Sequence, residues 1–241
     1  MMRNAPRRLS LAMDTTTALQ LGAKIKYLEA ALYSLASQAF ASGAQAFTAG
    51  EASSVAQILK HENAHVTLLK STLGASAPAQ PANSAYDFTG GGGSNNGPFA
   101  TTLTNKTEFF KVAQLLEDAG VRAYKGQLAN FSGDRTGLTL AMQIHQVEAR
   151  HAAQIRRLRS QTAWINGAFF DGAYTGTATT AGTQAFIAAK VYGVTVSDPL
   201  TLSTSEDNRV QGTVASQPSD GFDEPFATTD TTSFLALFGV T

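Results

Sequence analysis

Apolar residues recur at three- and four-residue spacing over four stretches of the chain, roughly 15–42, 52–73, 106–130 and 136–161. That is the period of one face of an α-helix, so the pattern predicts four amphipathic helices and an all-α fold. Short polar, glycine-containing breaks divide them into two hairpins: Gly43 and Gly50 lie in the first break, and Ser132-Gly133-Asp134-Arg135-Thr136-Gly137 forms the second. Such connections make neighbouring helices antiparallel. Between the hairpins, 74–105 is rich in Ala, Pro and Gly. A connection this long fits a four-helix bundle whose second and third helices run parallel, because the chain must return along the whole bundle. A flexible linker between unrelated hairpins is the competing reading, and it would leave each hairpin's apolar face uncovered.

Beyond about residue 162 the periodicity fades into a Thr-, Gly- and Ala-rich stretch. Short helices are expected near Thr183–Tyr192 and Thr232–Phe238. The apolar run Phe234-Leu235-Ala236-Leu237-Phe238 is too short to span a membrane and is expected to dock on the bundle or on a partner. The resulting division is an N-terminal arm at 1–14, a four-helix bundle at 15–161 with its crossover at 74–105, and a mostly irregular C-terminal extension at 162–241.

Each apolar stripe is broken near its centre by ionisable residues. Glu29 lies within Leu21, Ile25, Leu28, Leu32 and Ala36, and Glu62 and His65 fill gaps between Leu59, Val66 and Leu69. Glu117 falls among Ala113, Gly120, Val121 and Tyr124, and Glu148 and His151 among Ile144, Ala152 and Ile155. Placing the turns near Phe47 and Gly133 puts all six residues fifteen to eighteen positions from a turn. At about 1.5 Å per residue they share one level of the bundle within roughly one helical turn. Four carboxylates buried around one axis would be prohibitive without compensating positive charge. Two divalent cations supply it: Glu62 and Glu148, each in a Glu-x-x-His motif, bridge the ions; His65 and His151 complete their coordination; and Glu29 and Glu117 are terminal ligands. Mixed imidazole and carboxylate ligation suits iron or manganese without choosing between them. The opposing reading is a vestigial centre whose polar groups pair with one another.

Composition narrows the chemistry further. The chain has 241 residues and no cysteine, which excludes disulfides, thiolate metal sites and thiol nucleophiles. The formal net charge is zero, but from residue 161 onward eight acidic residues face two basic ones, leaving −6 there and +6 before it. Arg156, Arg157 and Arg159 sit where the fourth helix should end and read as complements of its dipole rather than as a nucleic-acid patch. Arg7 and Arg8 precede an apolar run of only about five residues, shorter than a signal sequence needs. A cytoplasmic protein without a membrane span is therefore expected, with export as the alternative.

The strings Tyr27-Leu28-Glu29-Ala30, His61-Glu62-Asn63-Ala64-His65, Glu117 to Tyr124, and Val147-Glu148-Ala149-Arg150-His151-Ala152-Ala153 resemble the ferritin-like domain family that includes desiccation-related proteins of bacteria and plants. The resemblance covers about 15–160, with an extension at Gly221-Phe222-Asp223-Glu224-Pro225. It implies a ferritin-like four-helix bundle with a di-metal site. Relatives of that kind range from iron-storage ferritins to manganese catalases.

Tyr33 and Tyr124 face the core near the acids and read as ordinary core tyrosines, with hydrogen bonding or radical chemistry beside the metals as the alternative. His61 and His145 are poorly oriented as ligands, and Asp118 lies on another helical face, as a solvated residue or one that supports the ligands. Two functional classes follow. One is a redox enzyme of ferroxidase, peroxidase or catalase-like type, with metal ions and dioxygen or peroxide as partners. The other is a non-catalytic stress or assembly protein, stapled by metal and self-associating through its C-terminal extension.

Overall fold

A computed structural model describes residues 14–163 and 225–241 of the chain. Among these, four long helices and one short helix carry the fold, with no strand: α1 Thr15–Ala39, α2 Ala49–Leu73, α3 Lys106–Gln127, α4 Arg135–Leu158 and α5 Thr228–Ala236. The helix expected near Thr183–Tyr192 and the string 221–224 lie outside the described residues.

Helix starts follow their capping chemistry. Asp14 accepts from the Thr17 N–H, Asn105 from those of Thr107 and Glu108, and Asp134 from that of Gly137. Each satisfies an N–H that the helix itself leaves without a partner, typically for about 1 kcal/mol. Helix α2 begins at Ala49 rather than at 52 because Thr48 and Glu51 form a reciprocal capping box. Helix ends fall short of the apolar period. The stripe continues to about 42, but the chain leaves α1 at Ala39 and turns through Gly43, whose φ of 86° suits glycine. Helix α3 tightens into a 3-10 turn at Leu128–Phe131, and α4 stops at Leu158, beyond which Ser160 is left-handed at φ 59°.

Helices α1 and α2 form one packed hairpin and α3 and α4 the other; across the bundle, α1 meets α3 and α2 meets α4. Contacts at the two ends fix the directions. Gln20, early in α1, donates to the Ser76 carbonyl just after α2. Lys106, opening α3, bonds Gln45 and Ala46 in the α1–α2 turn. Helices α2 and α3 therefore start at the same end and run parallel, and 74–105 is the long crossover. It packs rather than dangles: Tyr86, Phe88 and Phe99 are buried. The Asp87 carboxylate gathers the glycine-rich turn by accepting from the N–H groups of Thr89, Gly93 and Asn95 and from the Thr89 hydroxyl.

The C-terminal segment docks on its own bundle. Phe226, Phe234, Leu235 and Phe238 are buried, and α5 contacts α3 and α1. Its backbone is tied down as well: the Phe226 N–H donates to the Arg122 carbonyl, and Asp87 and Gly92 donate to the carbonyls of Phe238 and Leu237. Helix α5 starts at Thr228, four residues before the expected 232. No helix among the described residues is long and apolar enough to cross a membrane.

Candidate metal centre

All six residues singled out from the broken stripes converge in the middle of the bundle. Glu29, Glu62, Glu117 and Glu148 are fully buried, and His65 and His151 nearly so. One ligand atom each from Glu62, Glu117, Glu148 and His151 lies within 4.8 Å of the others. His151 Nδ1 is 2.9 Å from Glu62 Oε1 and 3.3 Å from Glu117 Oε2; His65 Nδ1 is 3.4 Å from Glu62 Oε2 and 3.5 Å from Glu148 Oε1. Glu62 thus turns one oxygen toward each imidazole.

Polar atoms here lack ordinary partners. Both Glu29 oxygens, Glu62 Oε1, Glu117 Oε2, Glu148 Oε1 and His151 Nδ1 are buried without a hydrogen bond of good geometry, although several lie close to an opposite charge. Buried polar groups are normally satisfied, so this concentration marks a place built for something that accepts lone pairs. Position 120 keeps it open. A Cβ at Gly120 would fall 2.8 Å from Glu148 Oε2 and 2.9 Å from Glu29 Oε1.

The sequence reading missed Lys26. Its side chain is completely buried, and its ammonium pairs with Glu29 and Glu148 and lies 3.1 Å from Glu62 Oε2. Spacing held the signal, because Lys26 stands three residues before Glu29 and shares its helix face.

Charge in the centre is tightly interdependent. Burial alone would raise Glu62, but Lys26, then His151 and His65, hold it well below the carboxylate range. Burial, reinforced by Glu62 and opposed by Lys26, pushes Glu148 up to about 8. Glu29 is raised by burial against the pull of Lys26. Burial would lower His151, yet the acids, Glu117 foremost, carry it up to about 10. Lys26 is likewise raised despite burial by Glu148, Glu29 and Glu62.

Several neighbours differ from expectation. The Tyr33 hydroxyl donates to Glu117 Oε1 at 2.5 Å, so Tyr33 touches an acid of the centre instead of only filling the core. The Tyr124 ring lies beside Lys26, with Nζ 5.7 Å from its centroid. Asp118 is not solvated: it is fully buried and grips Arg156 through two bonds of 2.8 and 2.7 Å. Arg156 therefore serves the core more than the helix dipole. His61 is not among the clustered donors, but its Nδ1 is 2.9 Å from His151 Nε2, and its Nε2 is 2.6 Å from Gln57. His145 binds the Val121 carbonyl, away from the acids.

Four antiparallel-paired helices with one long crossover, each turning carboxylates or imidazoles toward a common level, define a helical-bundle protein with an internal carboxylate–histidine centre suited to metal. The family model of the ferritin-like domain matches residues 14–161, and the chain belongs to that family. No curated protein and no solved structure matches the chain significantly.

Proposed function

We propose that this protein binds iron or manganese between its helices and that the loaded centre oxidises or reduces a small substrate, with dioxygen or peroxide as the reacting partner. One observation carries the reading: donor atoms of Glu62, Glu117, Glu148 and His151 lie within 4.8 Å of one another, buried and short of hydrogen-bond partners. Lone pairs so placed fit a cation of the kind that mixed oxygen and nitrogen donors hold. A bound iron or manganese ion would supply Lewis acidity and one-electron redox steps at the site.

The protein's own groups prepare the site for that chemistry. His151 offers Nδ1 to the centre only if its proton sits on Nε2, and His61 Nδ1, 2.9 Å away, accepts the hydrogen bond from that proton when the Gln57 amide turns its oxygen to His61 Nε2. His61 suits that role, since burial and then the neighbouring imidazoles of His151 and His65 lower its pKa and keep it neutral. Tyr33 steadies Glu117 through one oxygen and leaves Oε2 for the cation. The packed helices exclude bulk water.

The second reading is a non-catalytic, stress-associated bundle in which metal only staples the helices. Lys26 favours it, because an internal ammonium already compensates part of the acid charge without any redox capability. The two readings separate when apo-protein is loaded with iron and, separately, with manganese, and ferrous oxidation and peroxide decay are followed beside a variant with His65 and His151 both replaced by Ala. The redox reading expects the variant to lose most of the rate with at least one metal. Equal rates with both metals would leave the structural reading standing.

A further inference from the structure

Two ions were expected from four carboxylates and two imidazoles, but that count omitted Lys26. The centre divides into two halves that share Glu62 and Glu148. In one half, the Lys26 ammonium is held by Glu29, Glu148 and Glu62, with the His65 ring against the latter two acids. In the other, Glu117 and His151 face the same shared pair, and these four residues form the compact donor group. Glu62 looks both ways, with Oε2 toward Lys26 and Oε1 toward His151, whereas Glu148 puts Oε2 on Lys26 and Oε1 toward His65 and joins the other half through its place in the compact donor group. A cation contacted by one terminal acid, Glu29, by both bridging carboxylates and flanked by one imidazole, His65, has the surroundings that the sequence pattern gives an ion. Here a lysine of the chain is in that place.

We propose that Lys26 permanently fills one of the two cation positions, so that the native centre binds a single metal ion, held by Glu62, Glu117, Glu148 and His151. This deepens the metal-binding reading and rests on it. Charge supports the arrangement. A full-length ammonium surrounded by three carboxylates is already compensated, and a second divalent ion within bonding distance of Glu29, Glu62 and Glu148 would meet that positive charge at close range. To admit it, the ammonium would have to leave the centre, yet the Lys26 side chain is fully buried, with the Tyr124 ring lying alongside. The asymmetry also assigns different tasks to residues that a two-ion scheme treats alike. Glu29 holds the lysine, whereas Glu117 holds the metal.

The test is metal stoichiometry in the full-length protein, purified without chelator and loaded anaerobically with Mn(II) or Fe(II), read by elemental analysis against protein concentration. Wild type is expected to hold one ion per chain, with the electron paramagnetic resonance spectrum of an uncoupled Mn(II). Lys26→Met, which keeps the stem and removes the charge, is expected to hold two and to show an exchange-coupled pair. Should that variant fail to fold, two milder ones decide the matter. Glu29→Gln is expected to retain the single ion with less than a tenfold loss of affinity, and Glu117→Gln to lose it by a hundredfold or more, as removal of a direct ligand would. Two ions per wild-type chain, or equal losses from Glu29→Gln and Glu117→Gln, would overturn the assignment of Lys26 while leaving metal binding intact. No ion in wild type would overturn both.

Discussion

Tyr33 and Glu117, 84 residues apart in sequence, meet at 2.5 Å in the bundle core, where the phenol donates to Oε1 of the acid. Both are fully buried, and Phe109 packs edge-on against the Tyr33 ring, 6.0 Å between centroids. The bond holds Glu117 in one rotamer with its other oxygen facing His151. Tyr33→Phe keeps the packing and deletes the donor. It should destabilise the metal-free protein by about 1–3 kcal/mol, the cost of leaving a buried acceptor without its partner, and should weaken metal binding several-fold through looser placement of Glu117. Urea unfolding of the apo-protein, paired with a metal titration, checks this; unfolding curves that superimpose would show the bond to be idle.

Asp118 and Glu148 are both fully buried acids, but their partners differ, and so should their loss. Asp118→Ala leaves the Arg156 guanidinium buried without the carboxylate it grips, which typically costs about 3–5 kcal/mol. Metal content should stay near that of wild type, because Asp118 is not among the clustered donors. Glu148→Ala removes a shared acid and should deplete the metal. Elemental analysis beside thermal unfolding separates the two, and equal metal content in the variants would erase the distinction between donor and bystander.

What the sequence made legible follows from the range over which each interaction acts. A charged residue inside an apolar stripe is a local anomaly, so the six centre residues stood out, and helix spacing placed them at one level. Lys26 did not, since a lysine three residues before a glutamate is also an ordinary solvated helix pair. Burial distinguishes the two, and burial is decided by three other helices. The Asp118–Arg156 pair was hidden for the same reason: its members lie 38 residues apart on different helices, and an arginine in a last turn has an adequate local explanation in the helix dipole. The phenylalanines of 234–238 announced a docking segment, but the face that receives them is assembled from α3, α1 and the crossover, which carry no shared period.

Acid should remove the stabilisation that Asp87 gives the crossover. Burial would raise Asp87, yet the Thr89 hydroxyl and the N–H groups of Asn95, Thr89 and Gly93 hold its carboxyl below the ordinary value. A folded-state pKa below the unfolded one, about 3.9, means that the folded protein binds fewer protons in that interval. The stabilisation is therefore complete above about pH 4 and disappears as pH falls through the folded value. Asp87→Asn should cost about 1–3 kcal/mol near neutrality, and its deficit relative to wild type should shrink as the solution is acidified toward about pH 3. Denaturant titrations of both proteins across this range check the sign, and a deficit that does not change with pH would refute it.

Two glycines of α3 offer a final contrast, because alanine at either position should raise helix propensity by about 1 kcal/mol while its methyl group strikes a different target. At Gly126 the Cβ would fall 1.8 Å from the Phe226 carbonyl oxygen, a backbone atom of the docked C-terminal segment. That oxygen can retreat only if the segment lifts, taking Phe226 and Phe234 with it, so Gly126→Ala should lower stability by more than its propensity gain and leave the centre alone. At Gly120 the Cβ would meet side-chain oxygens of Glu148 and Glu29, which can swing by rotation. Gly120→Ala should then change unfolding free energy by no more than about 1 kcal/mol, but both displaced acids hold Lys26, and Glu148 also belongs to the compact donor group. Metal affinity should fall at least tenfold in Gly120→Ala and remain at the wild-type level in Gly126→Ala, whereas thermal unfolding should show the larger deficit in Gly126→Ala. If Gly120→Ala binds metal as wild type does, the space at that position is ordinary helix packing and has no bearing on the centre.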